Sequence, residues 1–514
     1  MVPWTRRTEL IVASVLAVGS AAFAIWLIRP FGVGPITYDA ASCVVFFDRI
    51  VSGRHLETFV NTTPKPLLTL IYGVLHAVTN DWRPITFATI GAYSASVALA
   101  SVLAGRAAGT IAAVFAGVAI ACSSPLLVQV TWGHALPWAL PFWLAAGLAL
   151  TAERPRPALA GVALLLAALA RVETFVLIAV ATALVAWLAV RRRALPAEWP
   201  ILLAWLALPV MLLHDSLLTG DPLNWASVSS LYAAGTRTRT PIALAVEMWR
   251  ELAANPVLTA LGVAGLVVLV RRRRYVLALG IAGVGAGIAV LMIVLAARGT
   301  QVLLTYLHPI LLAAAFSAAF GVDASVRLAR DRLAPRQWPS VEAPVWAAPI
   351  ITLLAVAAVA GVLGGSTGLL VGGVGVIRNQ QALAAHSDAL VPQIRTALGS
   401  VPTSVPPGSA RSPLDPAAVV LIVPRSLQTR LAVDLGLSVG VVGAVVPDRP
   451  TPGLLHGGQV VYHDRAGDPG TPSVRRLEVT QPTDVDGVRL VPVSVDGSAG
   501  VWLLRTEAAA AGTP

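Results

Sequence analysis

The chain has 514 residues, 56% of them hydrophobic and 12% charged, with a formal net charge of +11. A soluble domain carries about 25% charged residues, so this composition takes lipid as its solvent. The basic residues stand in short clusters between apolar runs, which sets membrane orientation and builds no groove-sized basic stripe, so nucleic acid is excluded as a partner.

The N-terminus carries Arg6 and Arg7 ahead of the apolar run at 11–27. A cleaved signal ending near Ser20–Ala24 is one reading, but a signal has a shorter apolar core, and further spans follow. The run is therefore taken as a retained first crossing. A helix needs about 20 apolar residues to cross the hydrocarbon. The stretches expected to do so are 9–28, 85–104, 107–123, 126–150, 157–170, 173–190, 200–218, 255–270, 275–296, 301–320 and 345–372. Residues 107–150 turn near Ser123–Pro125. Residues 158–190 are broken only by Arg171 and Glu173, and reading them as a hairpin leaves Arg154, Arg156 and Arg191–Arg193 on one side, as the positive-inside rule prefers. With the N-terminus cytoplasmic, sixteen basic residues fall in short inner loops and ten in longer outer segments before the tail. Loop 29–84, the tip at 170–174, loop 219–254 and everything after 373 are then outside. Cys43 and Cys122 both fall near that outer face, as a bridge or as two buried thiols.

The tail, 378–514, changes character. A Pro- and Gly-rich linker at 401–416 precedes β-branched runs at 418–423, 439–446, 459–462, 489–495 and 501–504, with helical periodicity at 378–399 and 426–435. The expected fold is an all-α polytopic membrane domain (1–377, about eleven transmembrane helices) with a small extracytoplasmic α/β domain (378–514). The tail shows no nucleophile elbow, phosphate loop or metal spacing, and a capping or acceptor-contacting module is expected there.

The first outer loop holds most of the chemistry. Tyr38-Asp39 opens a helix expected over 40–52, which ends at Gly53. Arg54, His55 and Glu57 follow, then Asn61-Thr62-Thr63-Pro64-Lys65-Pro66-Leu67 and an apolar run at 66–78 too short to cross, read as an interfacial helix. Asp39 suits a helix cap as well as a catalytic acid. Asp48 is nine residues on, about 180° around the helix, and cannot join Asp39 on one metal. All basic residues but one are arginine, and the exception, Lys65, is held between two prolines on a stiff extended segment. That placement fits an ammonium aimed at a phosphate or a snorkelling interfacial lysine.

Taken together, Tyr38-Asp39, a helix ending in Gly53 and Lys65-Pro66-Leu67 before an interfacial helix resemble the first outer loop of GT-C membrane glycosyltransferases, in particular the aminoarabinose transferase and protein O-mannosyltransferase group. More loosely, Leu169-Ala170-Arg171-Val172-Glu173, Thr219-Gly220-Asp221-Pro222-Leu223 (as in actinobacterial members), Arg298 and Tyr306-Leu307-His308-Pro309 are similar to later features of that group. The chain departs from the pattern at Ala40, where the second acid stands, and at Leu67, where a second proline stands. The missing acid argues against a divalent metal.

The resemblance implies an inverting transferase at the outer face of a bacterial plasma membrane. Its donor would be a polyprenyl-phosphate-linked sugar and its acceptor an envelope glycan, lipid or protein. Asp39 would be the general base, and Lys65, then Arg298 and Arg171, would hold the donor phosphate. Tyr38, His55, His134, Glu173 and Asp221 would line the substrate. Each has a plainer role: His134 as an interior hydrogen-bonded histidine, Arg171 and Glu173 as each other's partner, Asp221 as a turn residue. Trp132, Trp138 and Trp143 read as interfacial or packing groups. A lipid-linked-sugar flippase and a non-catalytic envelope assembly protein are the competing readings. The first is weakened by the lack of an internal repeat.

Overall fold

The structure is a computed structural model. It describes residues 4–28, 38–56, 63–225, 240–253, 256–298, 308–333, 391–396, 398, 421–424, 428–435, 442–445, 459–464, 483–485, 488–496 and 501–508. The helices are α1 (Arg6–Ile28), α2 (Tyr38–Ser52), α3 (Pro66–Thr79), α4 (Arg83–Ala108), α5 (Thr110–Ala121), α6 (Ser124–Thr131), α7 (Leu136–Thr151), α8 (Pro157–Ala170) and α9 (Thr174–Arg192). A 3-10 stretch (Trp199–Leu206) runs into α10 (Ala207–Thr219). Then come α11 (Pro241–Ala253), α12 (Pro256–Arg271), α13 (Tyr275–Ala282), a π turn (Gly283–Gly287), α14 (Ile288–Ala297) and α15 (His308–Leu333). The chain is a multi-pass membrane protein. Its peripheral helices carry outward-facing Val15, Val18, Trp26, Val190 and Val290, apolar surface that lipid solvates and water would not.

Among the described residues six helices are long and apolar enough to cross a bilayer, or seven if the bent pair Thr110–Ala121 and Pro125–Thr131 forms one span. Three other expected crossings are the shorter helices α7, α8 and α12 of 14 to 16 residues, and the last, 345–372, lies outside the described residues. One boundary needs correction. The expected turn near Ser123–Pro125 is a 54° bend between α5 and α6, and the run 126–150 is two helices with a second break at Trp132–Ala135. Pro125 occupies the first turn of α6, where a missing N–H costs nothing, so it begins a helix there. The span expected at 301–320 is helical from His308 onward and continues to Leu333.

The bundle has two chemically different ends. At one, Arg106 donates to both carboxylate oxygens of Glu9 at 2.9 and 2.6 Å, tying α4 to α1. Buried Asp323 there accepts from Arg272 at 3.2 Å and Arg327 at 2.9 Å, tying α12 to α15. At the other end sit α2, α3, the 132–135 turn, the tip between α8 and α9, and the first turn of α15. α4 and α15 are the most enclosed spans, and α1 and α9 the most exposed. α12 and α15 approach so closely that a Cβ on Gly265 would lie 1.9 Å from the Ser317 carbonyl oxygen, and Ser317 Oγ donates to Gly262 O at 2.7 Å. Cys43 is buried, Cys122 half-buried, and both are free thiols.

In the tail, six strands make one sheet, in the order β2 (Val442–Val445), β1 (Leu421–Pro424), β3 (Val460–Asp464), β6 (Val501–Ala508), β5 (Val488–Asp496) and β4 (Thr483–Val485). β1 is parallel to β2 and β3, and the remaining pairs are antiparallel. Each expected strand has a counterpart, and three-residue β4 is additional. Of the helix expected at 378–399, residues 391–396 are described and helical. α16 (Gln428–Leu435) rests on the membrane part. Asp434 accepts from Trp82 Nε1 at 3.0 Å, and Val433 packs on the cluster formed by Ala40, Cys43, Leu68 and Tyr72.

Candidate active site

Asp39 stands in the first turn of α2, and α2 ends where Gly53 takes φ +64. The N–H of Arg54 then closes on Arg49 O at 3.0 Å, the six-to-one bond of a Schellman end. Lys65 is the residue before α3, whose first position is Pro66, and Thr69 N–H donates to Lys65 O at 2.9 Å. The prolines thus set the backbone, and the side chain turns inward, leaving Lys65 8% exposed. Its Nζ lies 3.1 Å from Asp39 Oδ2. Two residues 26 apart, singled out separately by position and composition, are therefore in direct contact.

The 132–135 turn comes next to this pair. Gly133 holds φ +66, and a Cβ there would lie 3.1 Å from Ala40 Cβ, so the turn seats itself against the start of α2. Tyr72 Oη donates to Gly133 O at 3.0 Å, and Trp138 Nε1 to Thr89 Oγ1 at 3.3 Å, fixing the turn to α3 and α4. The absence of a Cβ at Gly133 is thus what admits the turn beside Ala40. His134 is half-buried on that turn, against the Trp132 ring, and its electrostatic neighbours are Asp39, Lys65 and Arg171. Desolvation pushes its imidazole down to about 4, so it is neutral near pH 7.

Arg171 and Glu173, on the tip between α8 and α9, meet at 2.9 Å with side chains 7% and 5% exposed. Arg171 in turn acts electrostatically on His308, as does His134. His308 Nδ1 contacts Gln129 Nε2. Three contacting pairs, Asp39–Lys65, Arg171–Glu173 and His308–Gln129, are thus linked electrostatically through His134 and Arg171 into a polar seam. His308 and Gln129 were not anticipated as site residues. The available signals were a glutamine alone in an apolar run and a histidine opening a span.

The remaining anticipated residues are placed differently. Asp221 accepts from Leu223 N–H at 3.0 Å and its N–H donates to Thr219 Oγ1 at 3.2 Å, so it shapes the turn after α10. His55 is exposed, with its ring against Gly220, and Leu56 N–H donates to Leu218 O at 2.8 Å. Arg298 is exposed at the end of α14, and among the described residues no contact joins it to the Asp39–Lys65 pair. The Tyr38 side chain and Glu57 lie outside the described residues. Among the described residues no three His, Cys, Asp or Glu side chains converge as metal ligands. Cys43 Sγ donates to Asp39 O at 3.4 Å, and burial pushes its thiol up to about 12.

No family model matches the chain, and no curated protein sequence matches it. Among solved structures, ArnT from Cupriavidus metallidurans bound to undecaprenyl phosphate superposes with a TM-score of 0.54 at 14% identity, over 97% of this chain and 98% of that one. The apo form of the same protein gives 0.52 at 14% identity, over 98% and 99%. The apo oligosaccharyltransferase of Archaeoglobus fulgidus gives 0.53 at 12% identity, over 85% of this chain and 64% of that one. The chain therefore shares the fold of ArnT and of this oligosaccharyltransferase.

Proposed function

We propose that this chain is a membrane glycosyltransferase that moves a sugar from a polyprenyl-phosphate donor to an envelope acceptor, at the bundle end carrying Asp39 and Lys65. The observation that carries the reading is the 3.1 Å contact between a carboxylate and a buried lysine, in a fold whose solved example from Cupriavidus metallidurans binds undecaprenyl phosphate. In the reaction an acceptor hydroxyl oxygen attacks the anomeric carbon as the bond from that carbon to the lipid-phosphate oxygen breaks. Asp39 takes the hydroxyl proton, and the phosphate leaves with the bonding electrons. Its added charge falls to Lys65, with Arg171 as the next cation along the seam. A single displacement inverts the anomeric centre. Neutral His134 and the Arg171–Glu173 pair orient the sugar, and Arg298 and Tyr38 remain candidates for the donor phosphate and the substrate.

In this proposal the membrane part is residues 1–377, with loop 29–84 and the tail 378–514 extracytoplasmic, the N-terminus cytoplasmic and the host membrane bacterial. The tail caps the first loop through Trp82 and Asp434.

The test is Asp39→Asn in purified, folded protein supplied with polyprenyl-phosphate sugar. A general base contributes about 10²- to 10⁴-fold, so turnover should fall by that order while donor binding persists. Lys65→Met should weaken donor binding and turnover together, and Lys65→Arg should restore part of both. Full transfer by the Asn variant would remove Asp39 from the mechanism.

A further inference from the structure

At the end of the bundle opposite Asp39 there is a cavity of about 250 Å³ between α4, α7 and the junction of α12 with α13. Its polar wall is Arg106, Arg273, Arg274 and Thr151, and its apolar wall includes Leu103 and Leu150. Three features point to an occupant.

The first is unspent charge. Arg106 is held by Glu9 and Arg272 by Asp323, but among the described residues neither Arg273 nor Arg274 has a carboxylate partner. The second is backbone. Arg273 holds φ +58 at the end of α12, where its N–H donates to Val270 O and that of Arg274 to Leu269 O. Glycine is the usual residue at such a position, and a side chain there is strained. Arg273 in that conformation lines the cavity. The third is the surface beyond the mouth. Arg274 leads into α13 without a side-chain cap, and α13 then presents Tyr275 (54% exposed), Val276 and Leu279 outward. Cationic groups on a pocket rim that runs into a lipid-facing apolar strip fit an amphiphile, and pockets of this kind recognise anionic head groups.

We propose that this cavity seats the phosphate head group of an anionic phospholipid, with its acyl chains lying along α13. The site is separate from the proposed transfer reaction, and it stands or falls independently of that reaction.

The test is native mass spectrometry of the full-length protein titrated with phosphatidylglycerol, phosphatidylcholine or inorganic phosphate, following the tightest lipid adduct. Phosphatidylglycerol should be retained in preference to phosphatidylcholine, and inorganic phosphate at the same concentration should not displace it. Arg273→Gln/Arg274→Gln should weaken that adduct about 30-fold, each basic residue near a membrane surface being worth roughly fivefold. Arg273→Lys/Arg274→Lys should keep most of it. Leu150→Trp, which fills the apolar wall and leaves every charge in place, should abolish it and serves if the glutamine variant does not fold. Equal retention of phosphatidylcholine, undiminished binding by both the glutamine and tryptophan variants, or displacement by inorganic phosphate would each overturn the proposal.

Discussion

Arg171 and Glu173 meet with almost no water around either side chain, so each charge depends on the other. Removing one partner of a buried pair leaves an uncompensated charge and costs about 3–5 kcal/mol, whereas replacing both with apolar groups is often neutral. Arg171→Met should therefore lower the thermal unfolding temperature sharply, and Arg171→Met/Glu173→Leu should recover most of the loss. A single variant as stable as the parent would show the pair to be solvated. His134 gives a pH prediction of defined sign. Its folded pKa, about 4, is below its unfolded value of about 6.5, so the stability from burying it neutral is complete above pH 6.5 and is lost as pH falls toward 4. Between pH 7 and 5 the parent should lose more stability than His134→Asn, and identical pH profiles would place that imidazole in water. Asp39 and Lys65 were legible because a lone lysine between prolines and an acid at a helix start stand out within one short loop. Gln129 and His308 were not, because each is a single polar residue in apolar surroundings and their contact joins positions 179 apart.

At the scale of elements, the six long apolar helices followed from hydropathy alone, since a bilayer demands continuous apolar helix. The break at 132–135 was hidden because Trp132, Ala135 and Leu136 keep the run apolar, while the bend near Ser123–Pro125 was legible from its serines and proline. What hydropathy also cannot show is which helices touch. α12 and α15 are held by an absence of side chains at Gly262, Gly265 and Gly321, the small-residue packing that replaces hydrophobic drive between helices in lipid. Gly265→Val places a branched carbon against the Ser317 carbonyl oxygen. It should separate the two helices and destabilise the fold by several kcal/mol, since neither backbone can move aside. Gly280→Val, with open space around it, should leave unfolding in detergent unchanged. Equal effects of the two would show that the helix pair is not tightly packed. In the tail, strand positions were legible from β-branched runs, and β4 escaped because three residues carry no period.

For the whole molecule, charge separates the two ends, and the proposed orientation follows from that asymmetry. A membrane-impermeant maleimide added to intact cells tests it. In a Cys43→Ser/Cys122→Ser background, Arg54→Cys should be labelled and Arg193→Cys should not until the cells are opened. The reverse pattern would invert the topology and place the transfer site inside. On the two proposals each end would have a phosphate chemistry of its own: at one a reacting lipid, at the other a resident one.

The Asp39–Lys65 contact has a consequence for the idle protein. In that contact acid and ammonium cancel each other. An arriving phosphate competes for the ammonium, and in drawing Lys65 away it frees the carboxylate. On the proposed reaction the substrate would therefore arm the residue that consumes it, by breaking the 3.1 Å contact that holds the carboxylate in the idle protein.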